Sequence, residues 1–229
     1  MNDLTKINMQ ADAHYAFLFT DIEGSTKRWT IYPAAMGAAL ARHDAVLRAV
    51  VREAGGAVFK TTGDGGCAVF ASVGAALEAT VRLQIRLGEA DFTAVDGLKF
   101  RMGVHSGPAE FRDQDYFGLT LSRTARIMAA GHGGQILVSV AASVAGAAPE
   151  RYALRSLGVH RLRDMGQVEE IYQLTGPGLE DKFPPLRALD SKPNNLPLQL
   201  SSFIGREAEL VTMRGLLAAH KLVTLLAHI

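Results

Sequence analysis

Two aspartates stand where the chain changes direction. Asp21 closes the aromatic run Tyr15-Ala-Phe-Leu-Phe-Thr-Asp-Ile22 and precedes Glu23-Gly24-Ser25-Thr26, while Asp64 sits within Gly63-Asp64-Gly65-Gly66. Magnesium-like cations commonly take one or two carboxylates plus substrate phosphate oxygens, so two such aspartates, if brought together, suit one or two ions and a phosphate substrate. Gly24-Ser25-Thr26 reads as a helix start, where unpaired backbone N–H groups and the helix dipole receive phosphate oxygens. Each aspartate alone has a plainer role, as a helix cap or a turn residue, and their separation in sequence leaves convergence to the fold. Gly63-x-Gly65-x-x-Ala68 matches a loose dinucleotide fingerprint, but strand-like sequence follows where that fingerprint needs a helix. No Gly-x-x-x-x-Gly-Lys-Ser/Thr occurs, which excludes a P-loop nucleotidase within these residues. His43 and His105 are not spaced as a metal pair and read as packing residues.

These residues need elements to hold them. Tyr15–Ile22 reads as a buried strand. Between Pro33 and Glu53, Met36, Leu40, Leu47, Val50 and Val51 recur at roughly helical spacing, and Gly55-Gly56 supplies the stop. Residues 57–61 and 67–70 read as the strands of a hairpin whose tip carries Asp64 out from the sheet. Leu77, Val81, Gln84 and Leu87 mark a second helix; Phe100, Met102 and Val104 mark a strand ending at a turn, Ser106-Gly107-Pro108. A third helix is predicted over 119–130, a strand over 135–138, and two last strands over 152–157 and 168–174. The β-α-β-β-α-β order predicts an α+β, ferredoxin-like fold with additional C-terminal strands.

The bulk numbers bound the rest. With 229 residues, 48% of them hydrophobic, the chain carries one sizeable core and a tail. Its 24 basic and 23 acidic residues nearly cancel, so charge points to no nucleic-acid or anionic-membrane partner. A lone cysteine, Cys67, excludes an internal disulfide and a cysteine-based zinc cluster, and suits a reducing compartment. No run reaches about 18 apolar residues, so no membrane span is expected and the predicted location is cytoplasmic. Past Gly176 the sequence turns rich in Pro and Asn (Phe183-Pro-Pro, Lys192-Pro-Asn-Asn-Leu-Pro197), which reads as a linker.

Four segments, in order, carry a resemblance: Phe19-Thr-Asp-Ile-Glu-Gly-Ser-Thr26, Phe59-Lys-Thr-Thr-Gly-Asp-Gly65, Arg101-Met-Gly-Val-His-Ser-Gly107, and Asp115-Tyr-Phe-Gly-Leu-Thr-Leu-Ser-Arg-Thr-Ala-Arg126. Over about residues 14–175 the chain resembles the class III adenylate and guanylate cyclase catalytic domain. The resemblance implies the class III cyclase version of the ferredoxin-like fold. It implies two metal ions per site, Mg2+ or Mn2+, held by Asp21, Asp64 and the carbonyl of Ile22. Lys60 and Asp115 look like the pair that reads the purine, and a lysine with an aspartate suits adenine, hence ATP. Arg101, Arg163 and the Gly24-Ser25-Thr26 turn look like phosphate contacts, and Arg126 like the arginine facing the α-phosphate. Ser122 stands where the family usually has an asparagine that orients the ribose. The implied activity is conversion of ATP to 3′,5′-cyclic AMP and pyrophosphate by a homodimer with shared sites. A guanylate cyclase and a weak or silent nucleotide-binding regulatory module remain as alternatives. Domain boundaries follow: an N-terminal segment 1–13, the cyclase domain 14–175, a linker 176–200, and a tail 201–229. The tail, entered through Leu196-Pro-Leu-Gln-Leu-Ser-Ser-Phe-Ile-Gly-Arg-Glu-Ala-Glu-Leu210, resembles the truncated start of a STAND-type ATPase module, without its P-loop.

Overall fold

A computed structural model describes residues 14–163, 165, 168–188, 211, 212, 215, 216 and 219. The elements run β1 (His14–Ile22), α1 (Ser25–Ile31), α2 (Pro33–Glu53), β2 (Ala57–Thr62), β3 (Gly65–Phe70), α3 (Val73–Glu89), β4 (Phe100–Pro108), β5 (Glu110–Arg112), β6 (Asp115–Phe117), α4 (Leu119–Ala130), β7 (Ile136–Ser139), α5 (Val140–Ala145), β8 (Ala153–Arg161) and β9 (Val168–Thr175). The seven-stranded sheet has the order β2-β3-β1-β4-β7-β9-β8, with β5-β6 as a separate two-stranded ribbon. Every neighbouring pair is antiparallel except β4 and β7. The first four strands, ordered β2-β3-β1-β4 with helices between β1 and β2 and between β3 and β4, are the ferredoxin-like unit expected from the sequence.

β1 explains why its sequence is apolar throughout. Side chains alternate across a strand, and both faces of β1 are covered. Ala16, Leu18 and Ile22 pack with Met36 and Leu47 of α2 and with Leu77 and Leu83 of α3. Tyr15, Phe17 and Phe19 pack with Tyr116 of β6 and with Leu121, Ala125 and Met128 of α4. His43, fully buried on α2, stacks on Phe100 with ring centroids 5.2 Å apart. His105, buried on β4, lies 2.7 Å from the Ser139 hydroxyl, and burial together with the Arg123 charge pushes its imidazole down to about 4. Both histidines pack, as their spacing implied.

Two features depart from the sequence pattern. Ser106-Gly107-Pro108 is the end of β4 rather than a turn: Ser106 and Pro108 stand opposite Ala16 and His14 of β1. The proline's missing N–H is tolerated at a strand end. The chain also stays on the domain beyond β9. Leu186 and Ala188 are buried with Ile127 and Ala130 of α4, Leu137 of β7, Ile171 of β9 and Leu162. Pro184-Pro185 therefore sits in a strap lying along the domain, because the apolar side chains that follow it find a groove beside α4.

Two units divide the chain, Met1–Lys192 and Pro193–Ile229. Of the second unit only 211, 212, 215, 216 and 219 are described, and their backbone is helical. The N-terminal segment 1–13 and the tail sequence that suggested an ATPase module, through Leu210, lie outside the described residues. No helix among the described residues is long and apolar enough to cross a membrane.

Candidate active site

The end of β1 is where the carboxylates meet. Asp21 lies in register between Gly65 of β3 and Arg101 of β4. Asp64 immediately precedes Gly65, in the two-residue turn Gly63-Asp64 between β2 and β3. Gly63 takes φ +66°, the left-handed region that favours glycine, which tightens the turn. A Cβ on Gly65 would fall 2.3 Å from the Thr20 carbonyl oxygen, so β3 approaches β1 this closely only because residue 65 lacks a side chain. Directly opposed residues on neighbouring strands lie about 4.5–5.5 Å apart, so the fold brings Asp64 to Asp21.

The electrostatics of this corner suit a cation. Burial raises the Asp21 carboxyl above its ordinary value; the Arg101 guanidinium opposes this, and the charges of Asp64 and Glu23 add to it. Arg101 Nε donates to Asp21 Oδ2 at 2.7 Å, a second guanidinium nitrogen pairs with the same oxygen, and a third reaches the Ala129 carbonyl at 3.5 Å. A half-buried carboxylate crowded by two others fits a divalent ion, whose charge offsets the penalty. Ile22 buries its side chain against the core, so only its backbone carbonyl could serve a ligand. No cluster of three or more His, Cys, Asp or Glu side chains suited to a metal exists among the described residues. Two carboxylates and a carbonyl could make an open oxygen set of the magnesium kind, with positions left for water and substrate.

Beside Asp21, Gly24 adopts φ +69° and opens α1, which has no side-chain cap; Ser25 is buried and Thr26 exposed. The second group forms across the sheet edge. Lys60 on β2 and Asp115 on β6, 55 residues apart, are joined by an ion pair of 2.5 Å between Nζ and Oδ2. Asp115 Oδ1 also accepts the Tyr116 backbone N–H at 2.8 Å. Hydrogen bonding to Asp115 raises the Lys60 ammonium above its ordinary value. The third group follows from α4: Ser122 is exposed one helical turn before Arg126, and Arg126 lines a cavity of about 240 Å3 together with Arg163. Every residue singled out from the sequence as a metal, phosphate, base or ribose contact thus falls into one of three groups. Arg187, on the strap, lines the Arg126–Arg163 cavity as well. Sequence reading missed it because nothing in a proline-rich stretch signals that the chain folds back.

Comparisons with known proteins follow the same lines. The family whose description is Adenylate and Guanylate cyclase catalytic domain matches residues 7–176. An uncharacterised protein of Mycobacterium tuberculosis is 35% identical over 198 residues, 84% of this chain and 67% of that protein. The adenylate cyclase of Schizosaccharomyces pombe is 33% identical over 149 residues, 54% of this chain and only 9% of that much longer protein. Among solved structures, an adenylate cyclase of Trypanosoma brucei in its monomeric state superposes with a TM-score of 0.72 at 24% identity, covering 81% of this chain and 97% of that one; at that identity the likeness bears on the fold. With well over half of its length matched by the family and the fold in agreement, this chain belongs to the adenylate and guanylate cyclase catalytic domain family.

Proposed function

We propose that the protein is an adenylate cyclase that converts ATP to 3′,5′-cyclic AMP and pyrophosphate. The observation that carries the choice of base is the pairing of Lys60 with Asp115. Adenine offers an acceptor at N1 and a donor at its 6-amino group, which match an ammonium and a carboxylate; guanine offers the reverse. Held together, the two side chains present one donor and one acceptor side by side. The pair is half-exposed at Lys60, and such pairs contribute at most about 1 kcal/mol. An entering base therefore displaces it at little cost.

The chemistry is an in-line displacement. The ribose 3′-oxygen gives up its proton and bonds to the α-phosphorus, while the bond from that phosphorus to the bridging oxygen of pyrophosphate breaks. Asp21, Asp64 and the Ile22 carbonyl would hold Mg2+ or Mn2+, two ions per site, which when bound acidify the 3′-hydroxyl and neutralise phosphate charge. Arg126 faces the α-phosphate and stabilises its developing charge. Arg101 neutralises Asp21 in the free protein and is released to a phosphate once Asp21 has another cation. Gly24-Ser25-Thr26 and Arg163 orient the phosphate chain, and Ser122 reaches the ribose. In the homodimer proposed here, Asp21 and Asp64 of one protomer work with Lys60, Asp115, Ser122 and Arg126 of its partner.

Product formation from ATP and from GTP, with magnesium and with manganese, tests this reading. Cyclic AMP in excess over cyclic GTP is expected. Changing Lys60 to Glu and Asp115 to Cys together should erode that preference by about tenfold or more, within the range for buried polar mismatches. A double variant with the parental ATP-to-GTP ratio would remove these two residues from base recognition, and predominant cyclic GTP from the parent would overturn the choice of substrate.

A further inference from the structure

The strap after β9 delivers a third arginine to the cavity beside α4. Six of the described residues line that cavity: Arg126, Ala129, Ala130, Leu162, Arg163 and Arg187. Among the described residues that line it, three are arginines and none is acidic. Such a lining favours an anion, and arginine forks match phosphate oxygens bidentately. The volume, about 240 Å3, falls below the ~300–1,000 Å3 typical of pockets for drug-sized ligands. It suits a short phosphate chain better than a whole nucleotide.

Arg187 is placed there by several independent contacts. Its backbone N–H donates at 2.8 Å to the carbonyl of Ala130, one of the α4 C-terminal carbonyls that lack a partner within the helix. Leu186 before it and Ala188 after it are buried beneath the strap. The Pro185 carbonyl lies 3.0 Å from His132 Nε2, and the His132 ring stacks on Phe183. One guanidinium nitrogen of Arg187 pairs with Glu23 Oε1, which, against the effect of burial, holds the Glu23 carboxyl below its ordinary value. A guanidinium has five N–H donors in a rigid fork, so the bond to Glu23 does not use them all.

We propose that Arg187 is a polyphosphate-binding residue, completing with Arg126 and Arg163 a three-arginine site for the phosphate chain of the nucleotide or for the pyrophosphate product. That the ligand is the substrate's own phosphate chain rests on the cyclase reading; the affinity for polyphosphate does not. Binding of inorganic tripolyphosphate to the full chain, measured calorimetrically in the presence of chelator, tests it. Arg187→Gln should weaken the dissociation constant by about tenfold or more, the scale of one lost charge-assisted hydrogen bond. Arg48→Gln, which removes an equal charge from the exposed face of α2, should leave it within about twofold. Should Arg187→Gln not fold, Arg187→Lys carries the test, and about threefold weaker binding is expected because a point charge replaces the fork. No binding by the parent, unchanged binding in the Arg187 variant, or an equal loss in Arg48→Gln would each overturn the proposal. Binding through Arg187 without any cyclic nucleotide formed keeps this inference and defeats the cyclase reading. Cyclic nucleotide formed by a chain indifferent to Arg187 does the reverse.

Discussion

Asp21 concentrates the electrostatic tension of the site. Its folded-state pKa lies above the unfolded one. The protonated form therefore contributes stability below the ordinary carboxylate range, and this is lost as pH rises through the raised value. At neutral pH the ionised carboxyl is a cost that a bound cation would offset. Mg2+ or Mn2+ at about a hundredfold over its dissociation constant should raise the thermal midpoint by roughly 5–10 °C near neutral pH and by clearly less at a pH within the ordinary carboxylate range. Asp21→Asn should lose the shift. A shift of equal size at both pH values would detach the cation from Asp21. Ser122 invites a second test at this scale. It is exposed on α4, so a longer side chain has room. Ser122→Asn should raise kcat about tenfold with little change in KM, as expected of a contact made mainly in the transition state. An equal or lower kcat would show serine to be the adapted choice.

At the level of elements, α4 carries Ser122 and Arg126, and its seat on β4 depends on Gly103. A Cβ there would lie 2.7 Å from the Met128 backbone nitrogen and 2.9 Å from its Cα. Backbone cannot rotate aside as a side chain can, so Gly103→Ala must displace the helix. Overpacking of this kind costs about 1–3 kcal/mol, and both the thermal midpoint and kcat should fall. Gly37→Ala provides the contrast: nothing lies within 4 Å of where its added methyl would stand on α2, and replacing a helical glycine should stabilise by about 0.5–1 kcal/mol. If Gly103→Ala melts with the parent, α4 is not seated through this contact. The hairpin of β2 and β3 has the same logic at Gly65, where glycine permits the approach that carries Asp64 to Asp21.

For the whole molecule the decisive question is whether protomers share sites as proposed. Asp21→Ala and Arg126→Ala, each inactive alone, should complement when mixed, because one composite site in the heterodimer retains both residues. Random pairing makes half the dimers mixed with one good site in two, so about a quarter of parental activity is expected. Mixed dimers demonstrated by mass but without activity would reject shared sites.

Much of the architecture was legible in the sequence, because hydrophobic period is a local property. The helices over 33–53 and 119–130 match α2 and α4 at both ends, since proline, glycine and the apolar stripe mark start, stop and face within a few residues. The buried β1 was legible for the same reason, its unbroken apolar run reporting cover on both faces. The four motif segments pointed to the family. Which of those residues stand together was decided by tertiary structure alone. Asp21 meets Asp64 and Arg101 because β1 lies between β3 and β4, and Lys60 meets Asp115 across 55 residues of chain. The extension of β4 through Pro108 depended on β1, a partner strand from the far end of the domain's sequence. Arg187 is the furthest case: it reaches the Arg126 cavity because Leu186 and Ala188 find a groove built by α4, β7 and β9. A groove made from elements distant in sequence leaves no periodic trace in the short segment that fills it, whereas a helix or strand writes its own burial into its spacing.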